Sequence, residues 1–302
     1  MTSLLQLFGN GLVFGSIVLL GSVGLSLLYG IGDFANFAHG ELLTLGAYFT
    51  FAGHVQLGLP LPVAAVGAVL ATALLGVALD RSLLMRHRDS PAIVVLIVTI
   101  GLALLLRSLI RIVWSSELRS IQQGLSRGIQ LVDATVPVAG YELVLALRLT
   151  PDSLVIVALG VALAVVTHIF LTRTRIGVAM RATADNDSLA RVVGIDTDLV
   201  LTVAWALSAG LAAIGGIFLA VESGVVLPRM GFNVLLVVFA AVILGGIGSP
   251  YGAMIGAYVV GIAQEMSVAL PFVEPGYRFA VSFLIMILVL LYRPTGIAGG
   301  DR

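Results

Sequence analysis

The chain has 302 residues, 59% hydrophobic and only 11% charged, with 16 acidic and 16 basic side chains and a formal net charge of +0. A water-soluble domain of this size carries roughly 25% charged residues, so the soluble globular class is excluded. There is no cysteine, and all 16 basic residues are arginine, which excludes disulfides, thiolate metal sites, cysteine nucleophiles, a Walker A loop and a pyridoxal Schiff base.

Charge-free runs at 1–32, 42–79, 199–221 and 230–264 each exceed the ~20 residues a helix needs to cross a bilayer. They predict an all-α integral membrane protein, a polytopic bundle of about nine spans in a single domain over 1–302. The spans are expected at 9–30, 38–57, 61–79, 91–113, 152–171, 199–221, 232–244, 251–270 and 277–292. Barrel strands alternate over ~10 residues, whereas these segments are apolar throughout. The first run has no basic leader and no small-residue cleavage site, so it reads as a retained span.

Between the first two spans lies the phrase from Tyr29 to Leu42, in which Asp33, Asn36, His39 and Glu41 follow the helix-breaking Gly30 and Gly32. Two readings stand. An ordinary surface turn, with Asp33 or Asn36 capping the next helix, is the commoner arrangement; a broken helix beside a water-filled pathway would use the same residues. The other histidines, His54, His87 and His168, show no ligand-like spacing with His39, so a metal site is not expected.

Further along, Arg107 and Arg111 near the end of the fourth span are expected to snorkel outward. Segment 114–151 opens with Trp114, suited to the headgroup belt. It contains Gln122, Gln123, Gly124, Gly128 and Gly140 and an alternating stretch that suits a hairpin or an interfacial helix. Loop 172–198 carries apolar residues at helical spacing (Ile176, Val178, Ala179, Ala182, Leu189, Val192, Val193), interrupted by the capping run from Asp185 to Ser188 and stopped at Gly194. It predicts two short amphipathic helices that either lie in the headgroup layer or dock another protein. Small residues four apart, including Gly11 and Gly15, Ala209 and Ala213, and Gly248, Gly252 and Gly256, predict close helix packing.

A third cluster, Leu244-Gly-Gly-Ile-Gly-Ser, repeats the layout of the first: an apolar span, a glycine-rich break, then a span bearing Gly-Ala-Tyr (Gly46 to Tyr48, Gly256 to Tyr258). The repetition suggests two pseudo-repeated halves with a pathway between their breaks, making Asp33, Asn36, His39, Gly245, Gly246, Gly248 and Ser249 candidate pathway residues. Nine arginines (Arg81, Arg86, Arg88, Arg173, Arg175, Arg181, Arg191, Arg293, Arg302) fall on one side and seven on the other. The bias places loops 80–90 and 172–198 in the cytoplasm and 114–151 outside.

The phrase Gly-Asp-Phe-Ala-Asn-Phe-Ala-His-Gly-Glu, the Arg-Ala-Thr-Ala-Asp loop with Ala190-Arg191 and Gly194-Ile195, the Leu-Gly-Gly-Ile-Gly-Ser turn and the closing Arg293-Pro-Thr-Gly-Ile occur in this order along nearly the whole chain. Together they resemble the permease subunits of branched-chain amino acid ABC importers, LivH type. That resemblance implies a multi-pass subunit in the cytoplasmic membrane of a prokaryote that performs no covalent chemistry and binds no cofactor. Its partners would be a second homologous permease, two ATP-binding subunits that hold the ATP, and an exported binding protein that delivers leucine, isoleucine or valine; no nucleic acid is involved. It also implies that Gly177, Arg181, Ala182, Asp185, Ala190, Arg191 and Gly194 form the segment that docks on the ATPases. The alternatives are an ABC permease for urea, short amides or another amino acid, and a stand-alone carrier or channel. The last would need ionisable groups paired within the spans, for which Glu265 is the main candidate and Glu222 a boundary one.

Overall fold

Helices stand at each of the nine expected positions, with two short ones in loop 172–198. The computed structural model describes residues 3–88, 90–121, 128–138, 141–270, 273–293 and 295–298; Gln122, Gln123, Gly124, Arg127, Gly140, Pro294 and Arg302 lie outside them. Six helical stretches among the described residues are long and apolar enough to cross a membrane: Leu4–Gly32, Leu61–His87, Ala92–Trp114, Pro151–Arg173, Thr197–Ser223 and Pro250–Ala269. Met230–Gly245 and Arg278–Tyr292 are shorter apolar helices, and His39–Phe51 has only 13 residues. The expectation of nine full spans therefore reduces to six helices of spanning length and three shorter ones.

In chain order, α1 (Leu4–Gly32) leads to α2 (His39–Phe51), which runs on through a π-turn at Ala52–Gln56. α3 (Leu61–Leu79) ends in a second π-turn, Asp80–Leu84, and α4 (Ala92–Trp114) follows. The segment after Trp114 forms β1 (Arg119–Ser120) and then a hairpin of β2 (Ile129–Val138) and β3 (Tyr141–Leu149), antiparallel with a bulge between Gln130 and Val132. This is the hairpin alternative of the two expected there. α5 (Pro151–Arg173) returns to the opposite end, where α6 (Arg175–Asp185) and α7 (Asp187–Val192) sit. α8 (Thr197–Ser223), β4 (Val225–Val226), α9 (Met230–Gly245), α10 (Pro250–Met266) and α11 (Arg278–Tyr292) complete the chain. β4 pairs with β1 at the hairpin end.

Small residues set the packing at the centre. Gly11 and Gly15 of α1 lie against Gly261 and Tyr258 of α10, and Gly252 and Gly256 of α10 lie against Gly245 and Ala241 of α9. At Gly216 in α8 a Cβ would stand 1.8 Å from the Leu43 carbonyl oxygen of α2, so no larger residue fits without moving the helices apart. Where lipid removes the hydrophobic drive, such backbone approach supplies dispersion contacts that hold helices together. α1, α2, α8 and α9 make the buried centre, while α3, α4, α5 and α11 turn large apolar residues such as Leu74, Ile112, Val166 and Leu291 outward.

Candidate functional site

Two helices of this bundle begin inside it. α1 stops at Asp33, whose left-handed conformation (φ 53°) lets its N–H close on Tyr29 O at 2.9 Å. The chain then doubles back: His39, the first residue of α2, bonds the Gly21 carbonyl at 2.9 Å. Gly21 lies 11 residues before Gly32, about 16 Å back along the helix. The segment between α1 and α2 is therefore a break between two packed helices, exposed at Asp33, with Asn36 Oδ1 accepting the Ala38 N–H at 3.0 Å just before α2. In the neutral ring Nε2 carries the hydrogen that Gly21 O accepts, leaving Nδ1 to receive the Ser208 hydroxyl at 3.3 Å. Long-range partners thus satisfy a fully buried imidazole, and burying it would otherwise cost several kcal/mol.

α9 mirrors this arrangement from the hairpin end. After α8 ends at Ser223, the chain turns through β4, and α9 starts at Met230, with Gly231 packed on the Gly40 carbonyl and on Thr44. The Thr44 hydroxyl accepts the Gly231 N–H at 3.2 Å, satisfying one of the donors that every helix start leaves open. The first turns of α2 and α9 thus lie side by side in the protein interior. The expected repeat had set the first break against the Gly245 to Ser249 turn. Here that turn stays at the α6–α7 end, fixed by the backbone bonds of Ile297 to Leu244 O and Ala298 to Gly245 O; Gly248 packs there on Gly30 at the end of α1, as expected, while the break that meets the start of α2 is the one before α9.

A buried charge pair accompanies the meeting point. Glu41, in the first turn of α2, is 1% exposed and its Oε1 accepts from Arg107 Nε at 2.9 Å and from a second guanidinium nitrogen of the same side chain. The guanidinium carbon lies 4.5 Å from the centre of the Phe232 ring in α9. Arg107 therefore points inward, and the expected outward snorkelling is corrected: a carboxylate and an aromatic face within reach outweigh distant headgroups. Arg111, one turn on, is exposed, and Trp114 packs on Tyr48 with ring centres 5.2 Å apart. The signal available in sequence was an arginine in an otherwise apolar span; its partner, 66 positions away, gave none.

The remaining candidate pathway residues divide between two cavities at the α6–α7 end. One, of about 230 Å³, brings Asp33 together with Asp80, Arg88, Asp187, Arg191 and Trp205. The other, of about 180 Å³, sets Gly30 and Gly248 beside Arg181, Asp185 and Tyr251. Asn36 and His39 are buried away from Gly245, Gly246 and Ser249, so the structure does not gather the seven into one pathway. It joins Asp33 and Gly248 to the loop residues instead. Asp80 is fully buried, held by Arg88 at 3.2 Å and by the Thr202 hydroxyl at 3.0 Å, and Arg88 also bonds Asp198 at the start of α8.

Within loop 172–198, Thr174 and Asn186 cap α6 and α7 through their side chains at 3.0 and 2.9 Å. Gly177 and Ala190 are buried; at Gly177 a Cβ would stand 2.2 Å from Phe170 O, so glycine lets α6 fold tightly against α5. Ala182 is half-buried, and Arg181, Asp185, Arg191 and Gly194 are exposed. Gly194 has φ +88°, a conformation that glycine adopts without strain. Val178, Leu189, Val192 and Val193 also face outward, Val192 at 83% exposure. An apolar patch beside charged groups suits both arrangements expected of this loop, a protein partner or the headgroup layer.

The chain matches, over residues 7–290, the family described as branched-chain amino acid transport system, permease component. It is 34% identical over 303 residues to the high-affinity branched-chain amino acid transport system permease protein LivH of Escherichia coli (strain K12), covering 98% of this chain and 95% of that one. The corresponding BraD protein of Pseudomonas aeruginosa is 30% identical over 305 residues, with the same coverage. Among solved structures, PsaBC from Streptococcus pneumoniae in complex with Fab aligns with 95% of this chain and 91% of that chain at a TM-score of 0.50 and 13% identity, a likeness of fold alone.

Proposed function

This chain belongs to the branched-chain amino acid transport permease family, and from that premise we propose that it is the membrane permease subunit of an ATP-driven importer of leucine, isoleucine and valine. It lies in the cytoplasmic membrane of a prokaryote, with loop 172–198 inside and the hairpin segment outside. α2 and α9 act as half-spans among the nine apolar helices. A second homologous permease completes the pathway, two ATP-binding subunits supply the energy, and an exported binding protein delivers the solute. The chain binds no ATP itself, in keeping with its lack of lysine.

In this reading α6 and α7 receive the ATPases. The exposed Arg181, Asp185, Arg191, Val192 and Val193 make the contact, and the buried Gly177 and Ala190 seat the loop on the bundle. Movement of the loop passes to the break residues through the two cavities, at Asp33 from Arg191 and at Gly30 and Gly248 from Arg181 and Asp185. Asp80, Arg88 and Asp198 carry it to the ends of α3 and α8. Two helices that begin in the interior offer the bistable element that alternating access requires.

The observation that carries the proposal is the family match over 7–290 together with the exposed loop patch. Mass spectrometry of what co-purifies with the tagged chain from its native membrane tests it. Two ATP-binding subunits and a second permease are expected; recovery of the chain alone from a gentle extraction would overturn the assembly.

A further inference from the structure

Resting on the reading that amino acids pass this chain, we propose that Arg107 and Glu41 hold the charged head of the passing amino acid, Arg107 taking its carboxylate and Glu41 its ammonium. The pair itself supplies the first argument. A buried ion pair is no better for stability than apolar residues of the same volume, and ionised groups within spans mark solute and ion routes.

Its geometry supplies the second. Both Arg107 contacts go to Oε1 of Glu41, whereas Oε2 is buried without a hydrogen-bond partner among the described residues. A pair built only for strength would be bidentate, with one nitrogen on each oxygen. An incoming ammonium has three donors for that open oxygen, and its carboxylate can take the guanidinium. The exchange replaces one ion pair by two, so no charge stands unpaired before or after it. Empty, the site neutralises itself, which keeps binding weak enough for release.

The surroundings fit the rest of the molecule. Phe232 lies against the guanidinium, and Phe37 and Phe239 pair at 5.0 Å between ring centres, nearer the start of α2 and further along α9. These apolar faces suit a branched aliphatic side chain beside a polar head. Asn233, next to Phe232, is an exposed polar residue on α9; a water-filled route accommodates it better than lipid does.

Because this chain has no native cysteine, labelling read on this chain alone gives a direct test. In the complete transporter in liposomes, Asn233→Cys is labelled with a water-soluble maleimide in the presence of leucine, of leucinol, which lacks the carboxylate, or of 4-methylpentanoate, which lacks the ammonium. Leucine should slow the labelling, with little effect from the other two. Arg107→Gln should abolish that protection and lower leucine uptake roughly tenfold or more, and the swapped pair Glu41→Arg with Arg107→Glu should not restore uptake. An Asn233→Cys transporter that moves leucine while the cysteine labels at the same rate with and without it would overturn the site and leave the transport reading standing. So would full uptake by the swapped pair, which would make the pair a strut. Failure of the complete wild-type transporter to move leucine would overturn both.

Discussion

The Thr44 hydroxyl receives the Gly231 N–H at 3.2 Å and donates to the Gly40 carbonyl at 3.1 Å, so a single side chain ties the starts of α2 and α9. The glycine at 231 makes this possible, because a Cβ there would stand 1.9 Å from Gly40 O. Gly231→Ala should force the half-helices apart and lower the melting temperature in detergent. Thr44→Val keeps the shape but leaves the buried Gly231 N–H unpaired, and should cost about 1–3 kcal/mol. Unfolding followed by tryptophan fluorescence compares them; a Gly231→Ala protein that melts with the wild type would refute the close approach.

Asp80 is fully buried and its charge is met by Arg88. Arg88→Met leaves that carboxylate without its counter-ion and should destabilise the protein by about 3 kcal/mol or more. Adding Asp80→Asn should recover much of the loss, since the uncompensated charge is then gone. The two variants and the double variant form a thermal-unfolding cycle, and strict additivity would rule out the coupling.

On loop 172–198, if it docks the ATP-binding subunits as proposed, Arg181→Ala and Gly194→Ala should both uncouple ATP hydrolysis from uptake. They should do so differently. Arg181 is exposed and its loss removes a surface contact, whereas at Gly194 (φ +88°) a side chain strains the turn after α7 by about 1 kcal/mol. Val192→Asp should weaken retention of the ATP-binding subunits on an affinity column. Unchanged ratios of ATP hydrolysed to leucine moved, in well-expressed variants, would remove the coupling assignment.

Glu265 was the residue on which a proton- or ion-driven carrier would most depend, and here it accepts from Arg278 at 2.8 Å near the hairpin end. Glu265→Gln should leave uptake dependent on ATP, with the same pH profile as the wild type. Loss of uptake in a pH-dependent manner would favour the secondary carrier.

The helices were legible because uninterrupted apolar runs have one solution in a bilayer, and the loop caps because Thr174, Asn186 and Gly194 act locally. The site was less so. Arg107 was misread because its partner Glu41 is 66 residues distant, and the choice between a surface turn and a broken helix at 33–38 depended on Gly21 and Ser208, supplied by other helices. Nothing at 224–230 suggests a re-entry, since its backbone needs are met by Ile121 through Gly224 O and by Thr44. The Gly-Ala-Tyr repeat drew attention to Gly245 to Ser249 although α9, and not α10, meets the start of α2.

The central claim is that solute movement through this chain is driven by ATP bound elsewhere. Radiolabelled leucine uptake into liposomes holding this chain, its partner permease, the ATP-binding subunits and the binding protein, with and without trapped ATP, tests it most directly. The account predicts uptake against a gradient only when ATP and the binding protein are both present. Concentrative uptake by this chain alone, without ATP, would contradict it.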